Sequence, residues 1–265
     1  MRICMAGALG RMGRRILELS AAAPDLSVGG AFDMPQHAGT EIQIGAEAGK
    51  PQSFRLAKDA AAALANADVL IDFTAPSATL QNVAAAAQAG KPAVVGTTGL
   101  SESERAQLAE LAKKIPIVFA PNTSVGVNLL FKLTQQVAKT LGLDYNVEIV
   151  ETHHNQKVDA PSGTAFRLAE RAAEGLGLTY PGDATFGREG MTGKRPSRQI
   201  GVHALRGGDV VGDHTVSFIG NGERIELTHR AHSRDTFARG AIVAARFAAK
   251  AKPGLYDMQD VLGLK

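Results

Sequence analysis

Arg2-Ile-Cys-Met-Ala-Gly-Ala-Leu-Gly-Arg-Met-Gly13 runs from a short apolar stretch through a glycine-rich turn into a helical pattern. Glycines at 7, 10 and 13 let the backbone approach a pyrophosphate, and the N-terminus of the helix that follows offers N–H groups and a positive dipole end. The spacing is GxxGxxG, a departure from GxGxxG, so the turn alone fits a plain tight turn equally well. Asp33 tips the reading. It ends the second strand about twenty residues later, where a carboxylate hydrogen-bonds an adenosine ribose diol.

Outward from this turn, the first half alternates short apolar runs with alanine-rich helical stretches. Strands are expected over 2–6, 27–32, 69–73, 93–95 and 115–119, and helices over 11–22, 78–89 and 101–113. Ser101 with Glu104 forms a capping-box pattern that starts the last of these helices. Such alternation predicts a Rossmann-type α/β fold, with a doubly wound parallel sheet. The second half changes character. Runs 146–150, 198–205, 210–219 and 223–229 read as strands separated by turns such as Gly207-Gly208 and Gly220-Asn-Gly222. They predict an α+β substrate and oligomerisation domain with an open mixed sheet, mostly antiparallel. A helical pattern at 237–249 then returns. The expected dinucleotide-binding domain is therefore 1–124 with 235–265, and the substrate domain 125–234.

Composition narrows the function. With 265 residues, 45% hydrophobic and 21% charged, the chain has the make-up of a globular protein. No apolar run approaches the ~20 residues that span a bilayer, so no membrane partner is expected. The strand pattern begins at once, which leaves no room for a secretory leader, and the one cysteine, Cys4, reads as a buried small hydrophobe. Both features suit the cytoplasm. A net charge of +3 does not imply nucleic-acid binding. The excess is local: residues 188–206 carry five Lys and Arg against one acid, Glu189. Those cations read either as a solvated loop or as a surface facing phosphates or carboxylates.

Two later loops join the glycine turn at the expected carboxyl edge of the sheet, where open α/β sheets bind ligands: Gly96-Thr97-Thr98-Gly99 and Ala120-Pro121-Asn122-Thr123-Ser124. Each is equally compatible with ordinary turn chemistry. Asp33 bears on cofactor choice, because a carboxylate repels a 2′-phosphate and the next residue is Met34, not an arginine. NADH is the expected cofactor, with use of NADPH left open through Arg11 or Arg14.

The densest chemistry lies in Glu151-Thr-His-His-Asn-Gln-Lys-Val-Asp-Ala-Pro-Ser-Gly-Thr164. After a strand at 148–150, a loop is expected to carry His153, His154 and Lys157. Pro161-Ser-Gly-Thr suggests a helix start whose Gly163 and Thr164 amides face an anion. A helix terminus supplies only about 0.3–2 kcal/mol, so a dicarboxylate needs a cation too, and Lys157 is the nearest. Adjacent histidines on an extended chain point to opposite sides. Glu151 either orients a histidine or is exposed, and Asp159 reads as a cap. No cysteine or HExxH helix supports a metal, and none is expected.

The string ETHHNQKVDAPSGTA (151–165) resembles the signature of the 4-hydroxy-tetrahydrodipicolinate reductase (dihydrodipicolinate reductase) family. The likeness continues through GALGRMG (7–13), FTAPSATLQN (73–82), GTTG (96–99), APNTSVGVN (120–128), IGVHALRGGDVVGDHTVSF (200–218) and HRAHSRDTFARGA (229–241). The resemblance implies NAD(P)H-dependent reduction of 4-hydroxy-tetrahydrodipicolinate in the diaminopimelate route to lysine. It implies His153 as proton donor/acceptor and Lys157 as proton donor, with His154, Gly163 and Thr164 on the substrate dicarboxylate. It further implies cofactor contacts at Gly7, Ala8, Leu9, Gly10, Arg11, Met12, Asp33, Gly96, Thr97, Thr98, Ala120, Pro121, Asn122 and Thr123, and a homotetramer. Met34 stands where some relatives carry arginine, and Thr123 where some carry an aromatic. Two competing readings are another Rossmann oxidoreductase of amino-acid metabolism and a non-catalytic NAD-sensing protein. A semialdehyde dehydrogenase needs a cysteine nucleophile in the substrate half, which is absent. A sensor has no reason to keep the histidines, Lys157 and the Ser-Gly-Thr turn together.

Overall fold

Buried on nearly every side, β1 (Arg2–Ala6) opens the chain and leads through the glycine turn into α1 (Arg11–Ala22). The computed structural model describes all 265 residues. There follow β2 (Ser27–Phe32), a hairpin of β3 (Glu41–Ile44) and β4 (Gln52–Arg55), α2 (Ala60–Leu64), β5 (Val69–Asp72), α3 (Pro76–Gln88), β6 (Ala93–Val95), α4 (Glu102–Ala112) and β7 (Pro116–Phe119). Next come α5 (Val125–Leu141), β8 (Asn146–His153), α6 (Gly163–Leu176), β9 (Ala184–Phe186), β10 (Ile200–Arg206), β11 (Gly212–Ile219) and β12 (Arg224–Ala231). The chain closes with α7 (Asp235–Ala248), β13 (Gly254–Tyr256) and α8 (Met258–Val261). These elements divide into two units, Met1–Val125 with Arg234–Lys265, and Gly126–Ser233.

The first unit is built on a six-stranded sheet in the order β13-β7-β6-β5-β1-β2, parallel throughout. Its strands are apolar on both faces, as a sheet sandwiched by helices requires. Ile3, Met5, Ile71 and Val94 pack on one side with α1 and α7, while Cys4, Ala6, Leu70 and Val95 pack on the other. The Ser101–Glu104 capping box forms as the sequence predicts. Every connection of the parallel sheet delivers a loop to the same carboxyl edge. The turns after β1, β2, β6 and β7 therefore gather there, with the strand order reversing between β1 and β5. The hairpin and edge strand β13 are additions that the apolar pattern did not reveal.

The second unit is a five-stranded sheet, β12-β11-β8-β10-β9, with α5 and α6 on one face. Burial alternates along β8 and β11, so Val147, Ile149, Val216 and Phe218 point into that core. The sheet is mixed but not mostly antiparallel. Two pairings are antiparallel (β12 with β11, β11 with β8) and two are parallel (β8 with β10, β10 with β9). The reason is α6, which follows β8 and serves as a crossover helix, returning the chain to run parallel to its start. A second correction concerns β8 itself. It continues to His153, where a loop had been expected beyond residue 150.

Candidate active site

In the first unit, Gly7 has φ +79°, and a Cβ there would lie 2.7 Å from the Phe73 carbonyl oxygen. Gly13 sits where a Cβ would collide with the Gly7 carbonyl, so helix and turn touch through bare backbone. Gly10 is the N-cap of α1 and no side chain caps that helix, whose first turn contains no acid. Ala8, Leu9, Arg11 and Met12 complete the turn. The Asp33 carboxylate accepts from the Leu9 N–H and the Met34 N–H, both at 2.8 Å, which fixes it beside the turn. An uncapped helix start, a turn stripped of side chains and an acid at the neighbouring strand end fit the diphosphate and ribose of a dinucleotide.

The other two loops lie on the same sheet edge but turn their hydroxyls inward. Thr97 is buried, and its Oγ1 donates to Asp72 at 3.0 Å while accepting from the Thr74 N–H at 3.2 Å. Thr123 is buried too and donates to the Phe237 carbonyl at 2.7 Å. Asn122 Oδ1 accepts from the Ser124 N–H at 2.9 Å. Gly96 leaves room for the Phe73 ring, which a Cβ would strike. The Thr97, Asn122 and Thr123 side chains shape the loops, while Thr98 is exposed beside Gly96 and Thr97, and Ala120 and Pro121 lead into Asn122. Nearby Cys4 is buried, and burial together with Asp72 pushes its thiol up to about 12.

In the second unit, the period of two along β8 places Glu151 and His153 on the inward face with Val147 and Ile149. Glu151 is fully buried. Its carboxylate lies 2.6 Å from His153 Nδ1, and it accepts from both Arg206 Nη atoms, at 2.8 and 2.9 Å, and from the Ser162 N–H at 3.0 Å. Burial opposes ionisation of Glu151, yet the bonds from Arg206, His153 and Ser162 outweigh it and hold the carboxyl below its ordinary range. For His153, burial lowers the pKa, Glu151 works against that, and Lys157 and Arg206 add to the lowering.

Lys157, four-fifths buried, donates to Asp159 Oδ1 at 2.7 Å. Asp159 is thus the partner of Lys157 and not a helix cap. The cap of α6 is Ser162, whose Oγ accepts from the Ala165 N–H at 3.2 Å. That leaves Gly163 and Thr164 as the first helical residues, in a turn without acids, and nothing lies within 4 Å of where a Gly163 Cβ would sit. His154 follows the end of β8, and its Nδ1 is buried with no hydrogen-bond partner.

Two contributors were missed by sequence reasoning. His214 lies directly across the ladder from Glu151, its Nε2 is 3.1 Å from Ser162 Oγ, and its ring meets that of His153 edge-on at 5.1 Å. Burial first, then the neighbouring His153, drives His214 down to about 3. Arg206 was counted only within the basic run. The signal for His214 was available, since it falls in phase with Val216 and Phe218 along a strand. The basic run is divided: Lys194 and Arg198 are exposed, while three of its arginines pair with acids of β8. Arg188 and Arg195 close on Glu148, and Arg206 on Glu151. Burial raises Glu148, but Arg188, Arg195 and His203 more than reverse this and hold it at about 2.

Family models described as dihydrodipicolinate reductase, N-terminus, and dihydrodipicolinate reductase, C-terminus, match residues 1–123 and 126–262. A 4-hydroxy-tetrahydrodipicolinate reductase of Citrifermentans bemidjiense is 50% identical over 100% of this chain and 99% of that protein. One from Anaeromyxobacter sp. is 54% identical over 99% of this chain and 98% of its own length. Among solved structures, a dipicolinate-bound dihydrodipicolinate reductase from Paenisporosarcina sp. TG-14 superposes with a TM-score of 0.76 at 24% identity, covering 97% of each chain.

The depressed histidine makes stability depend on pH in a defined window. An unfolded histidine titrates near 6.5 and buried His214 near 3, so between those values the unfolded chain binds the extra proton. Stability contributed by neutral His214 is complete above pH 6.5 and declines as the pH falls toward 3. His153 and His229 are shifted the same way and steepen the decline. His214→Asn should flatten the curve between pH 6.5 and 4.5 in urea unfolding. An unchanged slope would assign the effect to another group.

Proposed function

The chain belongs to the dihydrodipicolinate reductase family, and from that premise we propose how its residues divide the reaction. It is an oxidoreductase that reduces 4-hydroxy-tetrahydrodipicolinate to tetrahydrodipicolinate with a pyridine nucleotide, in the diaminopimelate route of lysine biosynthesis. The observation that carries the division of roles is the convergence of His153 and the start of α6 on one buried carboxylate, Glu151, with Lys157 near enough to act on the His153 ring.

When bound, the reduced nicotinamide supplies the hydride. Gly7–Met12 and Asp33 hold the dinucleotide, aided by the backbone of Gly96–Thr98 and Ala120–Thr123. Gly163 and Thr164 receive the substrate dicarboxylate at the helix start, with His154 beside them, and Lys157 supplies the fixed cation. Reduction leaves electron density on the ring that a proton must quench. His153, its ring held by Glu151, serves as the proton donor/acceptor, while Lys157 stabilises developing negative charge and donates a proton. In the resting chain Asp159 holds Lys157, and an incoming carboxylate competes for it. Residues 1–124 with 235–265 accordingly serve the cofactor, and 125–234 the substrate and assembly.

NADH is the preferred cofactor in this reading, with NADPH second. Asp33 is fixed beside the glycine turn, Met34 carries no charge, and Arg14 Nε is turned back onto the Leu9 carbonyl at 3.1 Å. Assembly is read as a homotetramer. The face of the second unit's sheet away from α5 and α6 leaves Leu205 exposed, apolar area that a second copy covers. A cytoplasmic setting suits the single buried cysteine, and no helix is long and apolar enough to cross a membrane.

Lys157→Ala should lower kcat by orders of magnitude while the Kd for NADH stays near wild type; unchanged turnover removes Lys157 from the mechanism. Steady-state kinetics with each cofactor on one substrate should give the larger kcat/KM to NADH, and a clear advantage for NADPH overturns the preference. Light scattering should return four chain masses, and a monomeric mass refutes the assembly.

A further inference from the structure

Arg206 touches both arms of the proton machinery. Its two Nη atoms grip Glu151, and Nη2 also donates to the Asp159 carbonyl at 2.6 Å, in the turn whose side chain holds Lys157. Glu151 in turn joins His153 to the first residue before α6, through the Ser162 N–H. The carboxylate is ionised and can only accept, so the proton of a neutral His153 must reside on Nδ1. On the opposite side of the ring, the near neighbour is a glycine, Gly212, which brings no side chain against Nε2. The site of a Cβ at Gly212 lies 3.0 Å from His153 Nε2, and any larger residue there would crowd that nitrogen.

We propose that Glu151 and Arg206 are a positioning pair for this reduction: Glu151 fixes the His153 proton on Nδ1 and leaves Nε2 as the proton-transfer atom, and Arg206 ties that dyad to the turn carrying Lys157. The pair touches neither substrate nor cofactor. It acts through His153 and Lys157 and rests on the reading of His153 as the proton donor/acceptor.

The charged and titratable groups facing His153 come from four segments: Glu151 on its own strand, Lys157 on the turn, Arg206 on β10 and His214 on β11. Only Glu151 favours the protonated ring; the two cations oppose it, and His214 is neutral in the working range. Removing the Glu151 charge therefore makes His153 lose its proton at lower pH. Turnover that needs the protonated ring falls as pH rises through the His153 titration, so the fall moves toward acid.

The test begins with the wild-type protein labelled with 15N-histidine, the His153 signals assigned by their absence in His153→Gln. At a pH where His153 is neutral, its long-range 1H–15N pattern should report the Nδ1–H tautomer. An Nε2–H tautomer overturns the proposal without any variant having to fold. In Glu151→Gln the tautomer population should shift to Nε2–H and the falling limb of the pH–kcat profile should move to lower pH. The loss of kcat near neutrality should be on the order of ten- to a hundred-fold, shrinking toward acid, with the KM for NADH unchanged. A merely structural role would scale kcat down at every pH and leave tautomer and limb in place, which would refute it. Arg206→Lys keeps the charge but cannot bridge, and should speed amide exchange across residues 155–160 at least ten-fold; unchanged exchange overturns the link to Lys157. If His153→Gln retains full turnover, the proton-donor reading fails, while the tautomer measurement still decides whether Glu151 sets the ring.

Discussion

A carboxylate with no solvent exposure has to be answered on every lone pair, and Glu151 organises the second unit by that requirement. Its four donors come from β8, β10 and the start of α6. Each is held in place by meeting the same ion. Losing one partner of such a group costs about 3–5 kcal/mol, because the charge remains buried. The same ion thus fixes where α6 begins relative to β8, and therefore where the Gly163 and Thr164 amides lie relative to His153. Catalytic geometry and local folding share one electrostatic demand here.

The first unit solves a similar problem without a cation. Asp72 is fully buried at the end of β5 and accepts from the hydroxyls of Thr74, Thr79 and Thr97 and from Asn82 Nδ2, at 2.7 to 3.0 Å. Neutral donors suffice because they are many and short-range. The result is to fasten the loops after β5 and β6 to the sheet edge through their side chains, so that their backbone is presented outward. The two units use opposite solutions, each suited to what it must leave exposed.

Much of this was legible in the residues. The parallel sheet could be read from apolar runs buried on both faces and from the glycine turn with Asp33, because those patterns depend on local backbone chemistry alone. The cluster at 151–164 was legible as a proton-and-anion site because its members are neighbours in sequence. Arg206 and His214 were not placed there, since strand pairing brings them from more than fifty residues away; the phase of His214 with Val216 and Phe218 marks it as inward but not which residues it meets. Glu151 was left between two readings until the length of β8 was known. A strand ending at residue 150 leaves it in a loop, whereas one ending at His153 puts it inward. The basic run was legible in part for a related reason: Lys194 and Arg198 are exposed, but charge density in sequence does not say that Glu148 and Glu151 will engage Arg188, Arg195 and Arg206.

The return of α7 to the first unit has a consequence for how the molecule is made. That helix supplies Ala238, Ala241, Ala244, Ala245 and Ala248 to the core beneath β1 and β5, and β13 then completes the sheet edge against β7. During synthesis the first unit must wait, with its apolar strand faces incompletely covered, until the last thirty or so residues emerge. Residues 126–233, by contrast, are contiguous and can close their own core as soon as β12 has been translated. The part synthesised first is the part finished last, which makes the open first unit, and not the contiguous second one, the stretch that most needs protection on the ribosome.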